Sequence, residues 1–130
     1  MFLALSLMQR GIDAVVLESH SRRYVEGRVR AGVLEHGTVR RMHALGVADR
    51  VEREGLVHRG TNLLCDGRLI RIDMPALTGG RSVTVYGQQE VMKDLFDAAE
   101  SRGAIVVWDA ANVTLHDLEG APSVTWEEGG

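Results

Sequence analysis

A single cysteine, Cys65, in 130 residues excludes an internal disulfide and any cysteine-built metal cluster. A reducing, cytoplasmic compartment is the expectation that follows, with Cys65 read as a small hydrophobe on a strand. No apolar run approaches the ~18 residues a bilayer-spanning helix needs. The opening MFLALSLMQRG lacks the basic leader and cleavage site of a signal peptide, so it reads as a helix. Charge of neither sign dominates: 15 basic and 18 acidic residues leave a net charge of −3. That balance argues against a general binder of nucleic acid or of an anionic membrane, and any anion site must act at close range. His43, His58 and His116 have no metal-like spacing, so no metal site is expected, and there are no internal repeats.

What is present fits mixed α/β architecture. Phe2 to Met8 is an apolar helical pattern in which Leu3 stacks with Leu7 and Ala4 with Met8; Arg10 and Gly11 end it. Ile12 to Leu17 is a nearly continuous β-branched run, as in a strand covered on both faces. Helix, glycine turn and strand make the second half of a βαβ unit. From Ala31 to Gly46 the spacing of Val33-Leu34, Val39, Met42 and Leu45 predicts a helix, followed by a short polar one over Ala48 to Glu54. Leu56 to Cys65 gives a weaker strand signal. Asp66-Gly67 marks a hairpin into Arg68 to Ile72, and Pro75 with Gly79-Gly80 marks a loop. Ser82 to Tyr86 predicts a strand, and Gln88 to Arg102 an amphipathic helix with Val91, Leu95, Ala98 and Ala99 on one face. Ile105 to Trp108, Val113 to Leu118 and Ser123 to Trp126 read as strands.

The expected fold is therefore α/β: an incomplete Rossmann-like domain with helices on a parallel sheet, plus an antiparallel hairpin and meander. Residues 1–130 read as one partial domain, truncated at both ends. Met1 falls directly on an apolar pattern with no preceding strand, and the chain stops just after a strand-like run.

The chemistry concentrates in Glu18 to Gly37. In the Rossmann arrangement an acid ending the second strand accepts hydrogen bonds from a ribose hydroxyl, about 20 residues after a glycine fingerprint. Glu18 has that place, although no G-x-G-x-x-G occurs in the sequence. Arg28-Val29-Arg30, if extended, puts two guanidiniums on one side. Guanidinium matches phosphate oxygens as a fork, and Ala31-Gly32 lets backbone approach closely. A helix start just after it would add unpaired N–H groups. Together these describe a pyrophosphate cradle.

The run Tyr24-Val25-Glu26-Gly27-Arg28-Val29-Arg30-Ala31-Gly32-Val33-Leu34-Glu35-His36-Gly37, with Glu18 before it, resembles the 4-hydroxybenzoate 3-monooxygenase family of flavin-dependent aromatic hydroxylases. Further likeness lies in Gly55 to His58, Val83 to Gln88 and Leu115 to Leu118, and it extends over nearly the whole chain.

The resemblance implies an enzyme in which NAD(P)H reduces FAD and a flavin hydroperoxide then hydroxylates a phenolic acid. It implies FAD contacts for Glu18, for Arg28, Val29, Arg30, Ala31, Gly32 and Val33, and for Gln88. Within these, Glu18 would hold the adenosine ribose and Arg30 the pyrophosphate, with Arg28 near the nicotinamide cofactor as well. Ser19 to Gly27 resembles the helix that reads the NADPH adenosine phosphate, with Tyr24 fitting the NADPH pattern. Ser19 and His20 depart from it, where arginine and glutamine are usual, and Arg22 and Arg23 are the substitute phosphate partners. NADPH is favoured and NADH stays open. The family's substrate-holding residues fall in later sequence, so no catalytic residue is assigned. The expected partners are a small aromatic acid and, for the full-length enzyme, a second copy in a homodimer. A sister flavoprotein hydroxylase with another phenolic substrate, or a non-catalytic remnant or interaction domain, are the alternatives, and the 130 residues alone are expected to be inactive.

Overall fold

The computed structural model describes residues 1–128. The chain packs as two compact units, one of Met1–Arg28 with Leu95–Gly130 and the other of Val29–Asp94. Helix α6 (Gln88–Ser101) runs through the second boundary.

In the first unit, α1 (Phe2–Met8) buries Ala4, Leu5 and Ser6, and Leu5 is fully enclosed. The buried face is thus centred on Leu5, whereas Leu3, expected on it, is 72% exposed. Ser6 satisfies its hydroxyl within the helix by donating to Phe2 O at 2.8 Å, which lets a polar residue sit on the apolar face. Gly11, at φ 68°, turns the chain back toward β1 (Val15–Leu17). That strand pairs in parallel with β7 (Ile105–Val107) in the register Val15 to Ile105 and Leu17 to Val107. It is shorter than the predicted Ile12–Leu17 and not sealed on both faces: Ile12 and Val15 are exposed, because β7 is its one paired neighbour among the described residues. A short helix, α2 (Arg22–Gly27), follows, capped by the Ser21 hydroxyl, which accepts from Tyr24 N at 3.3 Å. Strands β8 (Ala110–His116) and β9 (Ser123–Glu128) close the unit as an antiparallel pair. Their register shifts between Ala111 and Thr114, where Asn112 takes φ 52°.

In the second unit the predicted helix from Ala31 is corrected. Val33–Glu35 forms strand β2, and helix α3 begins only at His36 and runs to Leu45. The reason is pairing: β2 lies antiparallel on β6 (Val83–Val85), and Leu34 is buried opposite Thr84. Tertiary pairing of Val33-Leu34-Glu35, with Leu34 buried, overrides a helical spacing that only Val39, Met42 and Leu45 go on to use. Strand β3 (Leu56–His58) occupies the other side of β6, giving the order β2-β6-β3. Gly46, at φ 65°, ends α3 with its N–H on the Met42 turn, and α4 (Asp49–Glu54) follows.

Strands β4 (Gly60–Cys65) and β5 (Arg68–Asp73) form the predicted hairpin. Asp66 and Gly67 both have positive φ, 48° and 71°, the backbone twist that a two-residue connection of this type requires. The predicted loop at Pro75 is instead helix α5 (Met74–Thr78): Asp73 caps it by accepting from Ala76 N at 3.0 Å, and proline is accepted in a first helical turn.

Candidate dinucleotide site

Glu18 follows β1 directly, and its backbone is pinned on both sides. Its N–H donates to Val107 O at 2.9 Å, and its carbonyl accepts from Ala110 N at 2.9 Å. The carboxylate turns back on the next residues. Oε1 accepts from His20 N at 3.0 Å and lies 3.2 Å from His20 Nδ1; the Ser19 hydroxyl is 3.4 Å away. This fixes a half-exposed acceptor at the end of a parallel strand, the place a ribose hydroxyl needs. His20 in turn stacks on Tyr24, with ring centroids 4.3 Å apart and planes 11° from parallel.

Helix α2 carries the next set. A concavity of about 510 Å³ is lined by Ser21, Arg23, Tyr24, Gly27 and Arg28. The Arg28 guanidinium sits 5.9 Å from the Tyr24 ring centre, a cation–π distance. Arg23 is exposed and has no ion-pair partner among the described residues. Arg22 is placed otherwise. It donates from Nε to Glu26 at 2.6 Å and from Nη1 to Glu100 at 2.8 Å, and Nη2 binds Asp97. Three carboxylates hold its proton far more tightly than usual. Of the two arginines expected to meet a phosphate, Arg23 lines the concavity and Arg22 is engaged by carboxylates.

In the second unit, Val29, Arg30, Ala31 and Val33 are exposed, and Arg30 has no ion-pair partner among the described residues. Val29 to Gly32 belong to no helix and Val33 opens β2, so the N–H groups that a helix start was expected to add are not beside Gly32; α3 begins four residues after it. Gly32 is required by a close approach. A Cβ there would fall 3.1 Å from Gly87 Cα and from Tyr86 O, while Gly32 O accepts from Tyr86 N at 2.8 Å. The residue backed against Gly32 is therefore Gly87, the one before Gln88. Gln88 opens α6 at the end of the β6–α6 junction and is exposed.

Two features at this junction carry no simple sequence signal. Gln89 folds its carboxamide onto Gly87, where a Cβ would come within 2.6 Å of it, and its Oε1 is buried with no hydrogen-bond partner among the described residues. A repeated glutamine is the one hint. Behind the junction, Tyr86 donates its hydroxyl to Asp94 at 2.8 Å, Arg50 donates to Asp94 at 2.8 Å and also binds Glu90, and Lys93 reaches Glu90 at 2.9 Å. Burial, then the Asp94 carboxylate, pushes the Tyr86 phenol well above the ordinary tyrosine value of 10. The Arg50 and Lys93 hydrogen bonds hold Glu90 below the ordinary 4.5. Arg50 spans 40 and 44 residues of sequence to its partners, which no local pattern reveals.

Among the described residues there is no group of three or more His, Cys, Asp or Glu side chains able to hold a metal ion, and no helix is long and apolar enough to cross a membrane.

The family model described as FAD binding domain matches residues 1–130. A p-hydroxybenzoate hydroxylase of Acinetobacter baylyi is 42% identical over 124 residues, covering 95% of this chain and 31% of that protein. The chain thus spans about a third of that relative's length. Among solved structures, pqsL, a probable FAD-dependent monooxygenase from Pseudomonas aeruginosa, superposes with a TM-score of 0.80 at 18% identity, over 99% of this chain and 35% of that one. The p-nitrophenol 4-monooxygenase PnpA from Pseudomonas putida gives 0.73 at 20% identity, over 89% and 30%. The resemblance read from the Arg28 to Gly37 run is borne out, and the chain belongs to the FAD-binding domain family.

Proposed function

We propose that this chain is the FAD-holding part of a flavin-dependent monooxygenase that hydroxylates a small phenolic acid. The observation that carries the reading is the Arg28 to Val33 segment, whose exposed Arg30 has no ion-pair partner among the described residues and whose Gly32 backs onto the Gly87-Gln88 junction. An always-charged guanidinium, a Cβ-free backbone and an unsatisfied acceptor on Gln89 fit a ligand with phosphates and hydrogen-bond donors. Arg30 would hold the pyrophosphate, Glu18 a ribose hydroxyl, and Gln88 the ring system. When bound, FAD supplies the redox chemistry; these residues bind and orient it.

The hydride donor in this reading is NADPH. Arg23, Tyr24 and Arg28 line the concavity on α2, and Arg23 is the cation available to a 2′-phosphate. Likeness to the Acinetobacter hydroxylase supports 4-hydroxybenzoate as the substrate class. A cytoplasmic enzyme acting as a homodimer completes the proposal.

The 130 residues alone are proposed to bind FAD weakly and not to hydroxylate, since they contain no G-x-G-x-x-G phosphate loop. Gel filtration of the purified protein after saturation with FAD tests this. The expected result is colourless protein with the flavin eluting separately; a yellow peak with stoichiometric FAD overturns it.

A further inference from the structure

Helix α2 is six residues long, and none of them is buried. A helix this short does not hold itself together in water, so its shape depends on what it is docked against. Its N-cap hydrogen bond and the His20–Tyr24 stack are local to the segment. Beyond the segment, His20 O accepts from Asp109 N at 3.4 Å, and on α2 itself the side chain that reaches out is Arg22, which joins Glu26 to Asp97 and Glu100 on α6 and lies 5.8 Å from the Phe96 ring centre. Phe96 is buried and meets Trp108 edge to face at 4.9 Å, so the guanidinium rests on a fixed aromatic surface. Arg22, Phe96, Glu100, Ala104, Val106 and Trp108 surround a second, separate hollow of about 290 Å³.

We propose that Arg22 is a positioning residue: by joining α2 to α6 through Asp97 and Glu100 it holds the Arg23–Tyr24–Arg28 wall ready for the phosphate-bearing nucleotide of the hydride donor, without touching that phosphate. The inference rests on the donor-site reading above and assigns Arg22 a role that reading leaves open. Three carboxylates around one guanidinium leave a local surplus of negative charge, the opposite of what a direct phosphate ligand needs. Arg23, one position on, faces the other hollow. Neighbouring residues on a helix point about 100° apart, so a single turn can present an anchor on one side and a ligand on the other.

The two roles predict opposite signs for one variant. In the double substitution Asp97→Asn with Glu100→Gln, a tether is weakened, whereas a phosphate ligand would be released from its competitors. The test has two parts on the purified chain. Amide hydrogen exchange without nucleotide should show Val25 to Gly27 exchanging about fivefold faster in the double variant and in Arg22→Ala, the factor that two exposed ion pairs carry. Arg22→Lys should recover part of the protection, and raising the salt should erode it in the wild type. Unchanged exchange in both variants overturns the tether. Calorimetric titration with adenosine 2′,5′-bisphosphate should show weaker binding in the double variant, and tighter binding overturns the proposal in favour of direct contact. A wild-type chain that ignores this probe sinks the donor-site reading, and with it the proposed role, while the exchange data still decide whether Arg22 docks α2.

Discussion

Gly32→Ala is the substitution whose consequence is most directly fixed by the structure. The added Cβ would lie 3.1 Å from Gly87 Cα, 3.1 Å from Tyr86 O and 3.3 Å from Gly87 N. All three are backbone atoms of the β6–α6 junction, so no flexible side chain can swing aside. The junction must retreat by a few tenths of an ångström, against the 2.8 Å hydrogen bond from Tyr86 N to Gly32 O. Overpacking of this kind costs about 1–3 kcal/mol. Gly37→Ala is the control five residues away. Gly37 lies in the first turn of α3, with no atom within 4 Å of its built Cβ. There alanine reduces the freedom of the unfolded chain and contributes about 0.5–1 kcal/mol of stability. The two variants should therefore differ by roughly 2–4 kcal/mol. Urea unfolding followed by circular dichroism should register that as a separation of midpoints of about 1–2 M at a slope of ~2 kcal/mol/M. Midpoints that coincide, or a Gly32→Ala protein more resistant than the Gly37→Ala one, would refute the close-approach argument. Quenching of FAD fluorescence that is weakened in Gly32→Ala but kept in Gly37→Ala would add that the approach serves the cofactor.

Three other outcomes follow from the same geometry. Arg50→Met should destabilise the protein by about 1–3 kcal/mol in thermal unfolding, because it strips a guanidinium from Asp94, whose side chain is only 8% exposed. Glu90 is held below its ordinary value of 4.5, so over that window the unfolded chain binds the extra proton. Its contribution is present above about pH 4.5 and is lost as the pH falls through the folded value. A stability profile from pH 6 to 3 should thus be shallower in Arg50→Met than in the wild type. Asp73→Ala should cost about 1 kcal/mol through loss of the α5 cap, and Asp73→Asn much less, both read from urea midpoints.

How much of this was legible in the sequence depends on where each residue's partners lie. Helix α6 was readable because its apolar stripe and the Gly103 stop are local, and the Asp66-Gly67 turn because its backbone requirement falls on two adjacent residues. Strand β2 was misread as helix because its stability comes from β6, about 50 residues further on, and no pattern within Ala31 to Gly46 encodes that pairing. Helix α5 was misread as a loop because proline and paired glycines punctuate it, and the Asp73 cap that starts it is seen only in the fold. Arg28, Arg30 and Gly32 were singled out from an unusual run of residue types. The Arg50–Asp94–Tyr86 network was not, since each member is an ordinary surface residue type until the fold brings them together. Arg22 and Arg23 are equivalent in the sequence; only the position of Asp97 and Glu100 on α6 separates them.

In the proposed function, Arg30 meets the FAD pyrophosphate. The direct test is a titration of FAD, followed by flavin fluorescence, into the wild-type chain, Arg30→Ala and Arg22→Ala. The wild type should show weak, saturable quenching, Arg30→Ala should lose affinity by about tenfold or more, as expected of a charge-assisted contact, and Arg22→Ala should change little. Equal FAD affinities for the two variants would contradict it.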